Sequence, residues 1–257
     1  MKWSRIGLGC GPLGAMERLP AVRLVHAALE MGVTVFDTAP SYGASEAYLG
    51  EALRGRDAVI VTKGGYGAPG CTDWTSACIT KGIDRAWVTL GRVDVFLLHS
   101  CEPRDDLVEP LVRARRAGLV RAIGYSGDGE GLAWAAGIEP FDVLECSINL
   151  FDQRGLEHVG NGKRILAKRP LANAPWTDAK RPERSDRATY WDRMQAMFNE
   201  PPTLEVALGF VLHSGVDCAL VGTTRKVHLR RAFQVRPQPS DARERYARHG
   251  SGWPAVV

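Results

Sequence analysis

Eight short runs rich in β-branched and other apolar residues alternate along the chain with longer stretches of helical period. The runs occupy residues 5–9, 33–37, 58–63, 93–98, 120–125, 143–146, 164–167 and 218–221. The helical stretches include residues 21–31, 105–117, 204–212 and 227–233. Gly32 and Gly118 follow two of these stretches and mark helix stops. Strands that alternate with helices build parallel sheets, and eight in one unit predict an α/β fold of the (β/α)8 TIM-barrel type.

The bulk properties of the chain fit one barrel domain over residues 1–257. Hydrophobic residues make up 45% of the chain and charged residues 24%, so a large core can form unaided. The formal charge of +4 is too small to indicate a nucleic-acid partner. No apolar run reaches 18 residues, so we expect no membrane span or signal peptide, and a cytoplasmic monomer or small homo-oligomer. The six cysteines form no CxxC pair, which predicts reduced thiols and no metal site.

An open doubly wound sheet is the alternative architecture, and its phosphate-binding fingerprint has the pattern GxGxxG. Residues 7–14 read GLGCGPLG, which is superficially similar. However, Pro12 lies inside this segment, and the helical period starts only near Pro20, so the glycines do not open a helix. This departure from the fingerprint favours the barrel.

A polar stretch of about thirty residues follows the seventh strand and interrupts the alternation. Loops this long inside a compact domain are usually functional or mobile, and barrel active sites lie where the strands end. We therefore predict an insertion over residues 172–201 at the barrel mouth. A surface insertion with its own short helix over residues 188–198 is a compatible alternative. Little sequence follows residue 237, which predicts a short C-terminal tail.

Four polar residues stand at or just beyond the ends of three successive strands. Asp37 ends the second strand and Tyr42 follows it in a Pro/Gly turn, while Lys63 and His99 end the third and fourth strands. On a barrel these ends converge on one mouth. A buried Lys63 needs a charged partner such as Asp37, and its ammonium is expected to lower the pKa of Tyr42. Each residue alone has a simpler explanation as a cap, a loop anchor or a solvated strand end, but together they predict proton transfer.

The segments that carry these residues resemble motifs of the aldo-keto reductase family and occur in the family's order. They are residues 36–43, 61–63, 97–99, 122–126 and 221–224. The resemblance implies a barrel without a separate dinucleotide-binding domain and a catalytic tetrad of Asp37, Tyr42, Lys63 and His99. It also implies direct hydride transfer between NADPH and a carbonyl carbon, with Tyr42 as the proton donor.

The resemblance further implies contacts to the nicotinamide half of the cofactor. Ser126 matches the serine that binds the carboxamide, and Glu145 stands where the family has a glutamine. A carboxylate accepts a hydrogen bond from the amide group but cannot donate one to its carbonyl oxygen. Glu145 therefore implies that the carboxamide is bound by a different set of hydrogen bonds. Lys168 stands where many members have a stacking aromatic residue. Lys168 and Arg169 are expected either to contact the pyrophosphate or to face solvent.

The adenosine half of the cofactor is expected at the end of the eighth strand. Gly222, Thr223 and Thr224 precede a helix start, where backbone N–H groups favour a phosphate. Arg225 and Arg231 resemble positions around the family's 2′-phosphate site, although an ordinary basic helix face is the simpler alternative. The segment favours NADPH over NADH.

Aromatic residues in loops at the barrel mouth are candidates for substrate contacts. Tyr66, Trp74, Trp176 and Trp191 qualify, with loop packing as the alternative for each. The sequence thus predicts an NADPH-dependent oxidoreductase that reduces an aldehyde or ketone, or oxidises the corresponding alcohol or sugar. The alternatives are an NADPH-binding sensor subunit with little turnover and a Schiff-base enzyme that uses Lys63. The latter leaves Tyr42 and His99 unexplained.

Overall fold

The computed structural model describes residues 1–250 and 252–256 and shows eight parallel strands closed into a barrel. Each strand pairs with its neighbours in chain order, and β8 pairs with β1. The strands are β1 (Ile6–Gly9), β2 (Val35–Asp37), β3 (Val59–Gly64), β4 (Val95–His99), β5 (Ala122–Ser126), β6 (Val143–Ser147), β7 (Arg164–Lys168) and β8 (Cys218–Gly222). The helices are α1 (Arg18–Glu30), α2 (Ser45–Ala52), α3 (Ser76–Leu90), α4 (Val108–Arg116), α5 (Gly129–Gly137), α6 (Ser185–Met197), α7 (Leu204–His213), α8 (Lys226–Gln234) and α9 (Ala242–His249). The predicted (β/α)8 fold is confirmed.

Apolar side chains fill the inside of the barrel as a layer separate from the one beneath the helices. This inner layer consists of Val35, Val59, Val61, Val95, Leu97, Ala122, Val143, Leu166, Cys218 and Leu220. Both faces of the sheet are therefore covered, which explains why the strands read as nearly continuous apolar runs. Gly124 on β5 lies so close to β6 that a Cβ there would collide with the carbonyl oxygen of Val143.

Strands β3 to β8 each end one residue later than the apolar runs predict, because a polar or glycine residue completes each ladder. His99 pairs with Ser126, and Ser126 pairs with Glu145. Paired residues on neighbouring strands point their side chains to the same face. The ladder therefore brings three polar groups to the same level of the barrel mouth.

The helical spacing of apolar residues in the sequence does not predict α2, α3, α5 and α9. Helix α3 carries clear end signals, since the Thr75 hydroxyl accepts from the backbone N–H of Cys78 at 3.2 Å and Gly91 is left-handed. Helix α5 begins and ends at glycine, which weakens its helical signal. Within residues 1–250 and 252–256, no helix combines the length and the apolar character that crossing a membrane requires.

The insertion after β7 packs against the C-terminal tail. Its helix α6 begins at Ser185, before the predicted start at residue 188, and contacts α9 in the tail. The buried Arg193 of α6 donates to the carbonyl oxygens of Phe151 at 3.1 Å and Pro254 at 2.6 Å. The tail contains a helix and helps to hold the insertion in place.

Candidate active site

The carboxyl ends of the strands surround a cavity of about 810 Å³. Many of the predicted catalytic and cofactor-binding residues line this cavity. They are Asp37, Tyr42, His99, Ser126, Glu145, Lys168, Arg169 and Gly222. Lys63 is fully buried and reaches the cavity through its contacts with Asp37 and Glu145. The fold therefore brings the four predicted catalytic residues to one place.

The Lys63 ammonium has three oxygen partners. It donates to the Asp37 carboxylate and to the carbonyl oxygen of Thr38 at 3.0 Å, and Glu145 Oε2 lies 3.3 Å from Nζ. Burial lowers the pKa of this ammonium, but the charges of Asp37 and Glu145 raise it above its usual value. Lys63 therefore stays a cation at neutral pH. The sequence pattern does not predict the contact with Glu145, because it identifies strand ends but not the distances across the barrel.

Two buried carboxyl groups share this one cation, and their pKa values move in opposite directions. Burial and the charge of Glu145 raise the pKa of Asp37 above its usual range. Burial also opposes the ionisation of Glu145, but the charges of Lys63 and Lys168 hold its pKa below the usual value. Ser126 Oγ donates to Glu145 Oε1 at 3.0 Å, whereas the buried Oε2 accepts no hydrogen bond from the residues that the structure describes.

Tyr42 lies with its ring centroid 5.3 Å from Lys63 Nζ. The charge of Lys63 lowers the pKa of Tyr42, but burial and the charges of Asp37 and Glu145 raise it to about 12. The expectation of a lowered pKa is therefore wrong for this arrangement. Its physical reason is the burial of the hydroxyl, which the expectation did not include, and the charges of Asp37 and then Glu145 add to the rise. Tyr42 remains protonated at neutral pH.

His99 is neutral at neutral pH. Burial and then the charge of Lys63 lower its pKa to about 4. Its ring meets the Tyr42 ring edge-on, with the centroids 6.2 Å apart. Its Nδ1 lies 3.1 Å from the hydroxyl of Tyr66. A neutral histidine beside a protonated tyrosine places two uncharged hydrogen-bonding groups at the cavity.

Lys168 and Arg169 line the cavity, but both have partners within the protein. Lys168 Nζ lies 3.0 Å from Asp128 Oδ2, a carboxylate that the sequence pattern does not identify as part of the site. Asp128 also accepts from the backbone N–H of Ser147 at 2.7 Å. Arg169 donates to the carbonyl oxygen of Val256 in the tail. Neither residue is a freely solvated cation, which corrects one of the two expectations for them.

The segment after β8 is only partly at the cavity. Gly222 lines it, and the Thr223 hydroxyl accepts from the backbone N–H of Arg225 at 3.1 Å, just before α8. Thr224 and Arg225 are exposed. Arg231 lies in the last turn of α8, outside the cavity lining, and its guanidinium is 3.7 Å from Glu205 of α7. The structure therefore directs Arg231 toward α7.

The four predicted substrate residues are not among the residues that line the cavity. Trp176 and Trp191 pack against the apolar core, so their interpretation as loop-packing residues is the better one. Tyr66 and Trp74 lie in the loop after β3, with ring centroids 5.4 Å apart. The insertion does reach the cavity, but with different residues. These are Asn173, Ala174, Arg184, Asp186 and Arg187.

Among residues 1–250 and 252–256, no cluster of three or more histidine, cysteine, aspartate or glutamate side chains is arranged to hold a metal ion. The polar groups at the inner end of the cavity include a lysine, a tyrosine, a histidine and carboxylates. This set suits proton transfer and the orientation of a polar ligand.

Two curated relatives are similar to parts of the chain. Aldo-keto reductase YhdN of Bacillus subtilis (strain 168) is 28% identical over 181 residues, covering 61% of this chain and 53% of that protein. The 6-dehydroglucose reductase of Novosphingobium aromaticivorans is 35% identical over 144 residues, covering 48% of this chain and 47% of that protein. The chain thus spans about half the length of these curated relatives.

Solved structures of the same fold cover nearly the whole chain. The holo form of an aldo-keto reductase from Bacillus halodurans superimposes with a TM-score of 0.78 at 22% identity, covering 96% of this chain and 92% of that one. An aldo/keto reductase from Klebsiella pneumoniae in complex with NADP and acetate gives a TM-score of 0.73 at 21% identity, covering 99% and 95%. At these identities the likeness supports the fold. A sequence profile described as "Aldo/keto reductase family" matches residues 5–244, and the chain therefore belongs to the aldo/keto reductase family.

Proposed function

We propose that the protein is an NADPH-dependent oxidoreductase that reduces an aldehyde or ketone, or oxidises the corresponding alcohol or sugar, with Tyr42 as the proton donor. The observation that carries this proposal is the convergence of Asp37, Tyr42, Lys63 and His99 at one cavity. Family membership supports it, and so does the NADP named with the Klebsiella pneumoniae structure. The same membership favours turnover over a sensor with little activity.

The cavity fits a nicotinamide dinucleotide in part. Gly9, Gly11 and Gly222 line it, and such residues let a flat ligand approach the backbone closely. Glu145 Oε2, which lies 3.3 Å from Lys63 Nζ and accepts no hydrogen bond from the described residues, can accept one from a carboxamide NH2 group. Ser126 already donates its only hydroxyl proton to Glu145, so the carboxamide oxygen receives no donor from this pair. Bound NADPH would supply the hydride, and Glu145 would hold the amino side of its carboxamide.

The chain's own residues provide the proton and the orientation of the carbonyl group. Tyr42, with a pKa of about 12, is protonated across the physiological range and can donate to the oxygen that becomes an alcohol. The Lys63 ammonium stabilises the negative charge that develops on Tyr42 as its proton leaves. Neutral His99 can donate a hydrogen bond to the same oxygen. In the direction of alcohol oxidation, Tyr42 must be deprotonated, so that direction is expected to require alkaline pH.

The test is the variant Tyr42→Phe, which removes the hydroxyl and keeps the ring. We expect it to lose turnover with every carbonyl substrate of the wild type and to keep its affinity for NADPH, measured by fluorescence titration. The matched control is Tyr48→Phe, because the Tyr48 hydroxyl donates to the carbonyl oxygen of Met16 at 3.1 Å and is not part of the cavity lining. Full activity of Tyr42→Phe would refute the assignment of the proton donor.

A further inference from the structure

The Tyr66 hydroxyl lies within hydrogen-bond distance of one ring nitrogen of His99. The distance from Tyr66 OH to His99 Nδ1 is 3.1 Å, and the two rings lie 5.5 Å apart at an angle of 30°. We propose that Tyr66 is a positioning residue, which donates to His99 Nδ1 and thereby keeps the imidazole proton on Nε2. The catalytic meaning of this contact rests on the proposed function, whereas the contact itself does not.

The direction of the hydrogen bond follows from the chemistry of the two groups. A neutral imidazole has one N–H group and one bare nitrogen, and the bond made at one nitrogen sets the state of the other. A phenol is a good donor, and a bare imidazole nitrogen is the better acceptor of the pair. Tyr66 has no other hydrogen-bond acceptor among the residues that the structure describes. Its proton therefore lies toward Nδ1, and Nε2 carries the ring proton.

The loop after β3 holds Tyr66 in place although it is rich in glycine. The Trp74 ring packs against the Tyr66 ring, and the backbone N–H of Trp74 donates to the carbonyl oxygen of Gly65 at 2.6 Å. Gly65 has φ +125°, and a Cβ there would collide with the Trp74 ring, so glycine is required for this packing. Asp73 Oδ1 accepts from the backbone N–H of Gly67 at 2.8 Å and closes the turn. Each contact limits the positions open to the Tyr66 hydroxyl.

The surroundings of His99 keep it neutral but do not determine which of its two nitrogens carries the proton. Burial opposes protonation of the ring most strongly, the charges of Lys63 and Lys168 also oppose it, and that of Glu145 favours it. Tyr42 meets the ring through its edge and is itself protonated. Tyr66 is thus the group that contributes a directional bond to the imidazole. With Nδ1 occupied, Nε2–H is the donor available to a carbonyl oxygen.

The first test is nitrogen NMR of the chain labelled with ¹⁵N-histidine, without cofactor or substrate. The variant His99→Gln identifies the His99 signals among those of the six histidines. We expect His99 to carry its proton on Nε2 and to show a hydrogen-bonded, unprotonated Nδ1, whose signal moves toward that of a free nitrogen in Tyr66→Phe. A proton on Nδ1 in the wild type, or an unchanged Nδ1 signal in the variant, would overturn the proposal. This result stands whether or not the protein is a reductase.

The second test is kinetic. Tyr66→Phe should lower kcat about three- to tenfold, the change expected for one neutral hydrogen bond, and leave the KM for NADPH unchanged. Tyr48→Phe is the matched control and should keep the wild-type kcat. A variant that loses the Nδ1 bond by NMR but retains full kcat would refute the catalytic role of the contact. A wild type without turnover would instead refute the proposed function.

Discussion

Glu145 Oε2 lies 3.3 Å from Lys63 Nζ, so the buried ammonium forms an ion pair with a second carboxylate besides Asp37. One cation between two carboxylates leaves the cluster with an excess of negative charge when all three groups are ionised. Burial of Tyr42 and the negative charges of Asp37 and Glu145 together outweigh the effect of Lys63 and account for a tyrosine pKa of about 12. The ionisation of Tyr42 thus depends on a carboxylate of β6 as well as on Asp37 and Lys63.

Neutralising Glu145 should lower the pKa of Tyr42. In Glu145→Gln the negative charge is lost while the size of the side chain is kept, so Lys63 acts on the tyrosine with less opposition. The measurement is a spectrophotometric titration of tyrosinate at alkaline pH, in which one tyrosine should ionise at a lower pH than in the wild type. The control Glu205→Gln alters an exposed glutamate on α7 and should leave the titration unchanged. An unaltered titration of Glu145→Gln would contradict this account.

Removing Lys63 should destabilise the barrel most at neutral and alkaline pH. Lys63→Met leaves Asp37 and Glu145 buried without a cation, and loss of one partner from a buried ion pair costs about 3–5 kcal/mol. Without the cation, both carboxyl groups have folded-state pKa values above their unfolded ones. The stability that they contribute is then present at acid pH and lost as the pH rises. Urea unfolding from pH 4 to pH 8 should show the gap to the wild type widening with pH, and a constant gap would contradict the role of the carboxylates.

The neutral state of His99 predicts a loss of stability in acid. Its pKa is lowered from 6.5 to about 4 in the folded protein, so the unfolded chain binds the proton more readily between these values. The free energy of unfolding should fall as the pH drops from 6.5 toward 4, by up to about 3 kcal/mol from this group. His99→Gln should lack this component. His213→Gln, at an exposed position of α7, is the matched control and should keep it.

Two glycine substitutions should distinguish a site that has no room for a Cβ atom from a site where glycine only adds backbone freedom. Gly124→Ala places a methyl group against the carbonyl oxygen of Val143 inside the sheet, and it should cost about 3 kcal/mol or more of unfolding free energy. Gly137→Ala, at the end of α5, meets no atom within 4 Å and should be neutral or stabilise the protein by about 0.5–1 kcal/mol. Thermal unfolding of both variants tests the pair. Equal melting temperatures would contradict the close approach of β5 and β6.

The alternation of strand and helical periods was sufficient to predict the barrel. A parallel strand that is buried on both faces appears in the sequence as a short apolar run. Eight such strands that alternate with helices can pack in few ways. The same signals predicted that Asp37, Lys63 and His99 end neighbouring strands, because strand ends are local features. Helices such as α5 were not predicted because their glycines weaken the helical signal in the sequence. Tertiary contacts still stabilise the helix.

Only the tertiary structure decided which of these polar groups touch one another. The contacts of Glu145 with Lys63, of Asp128 with Lys168 and of Tyr66 with His99 join residues from different strands and loops. The distances between these groups depend on the register and tilt of the barrel strands. The sequence of a single segment does not reveal either of them. A pKa depends on the sum of all charges within a few ångströms and on burial, so even the direction of its shift for Tyr42 followed from the packed site. The sequence thus determined the fold and the identity of the catalytic candidates, and the three-dimensional arrangement determined their electrostatic state.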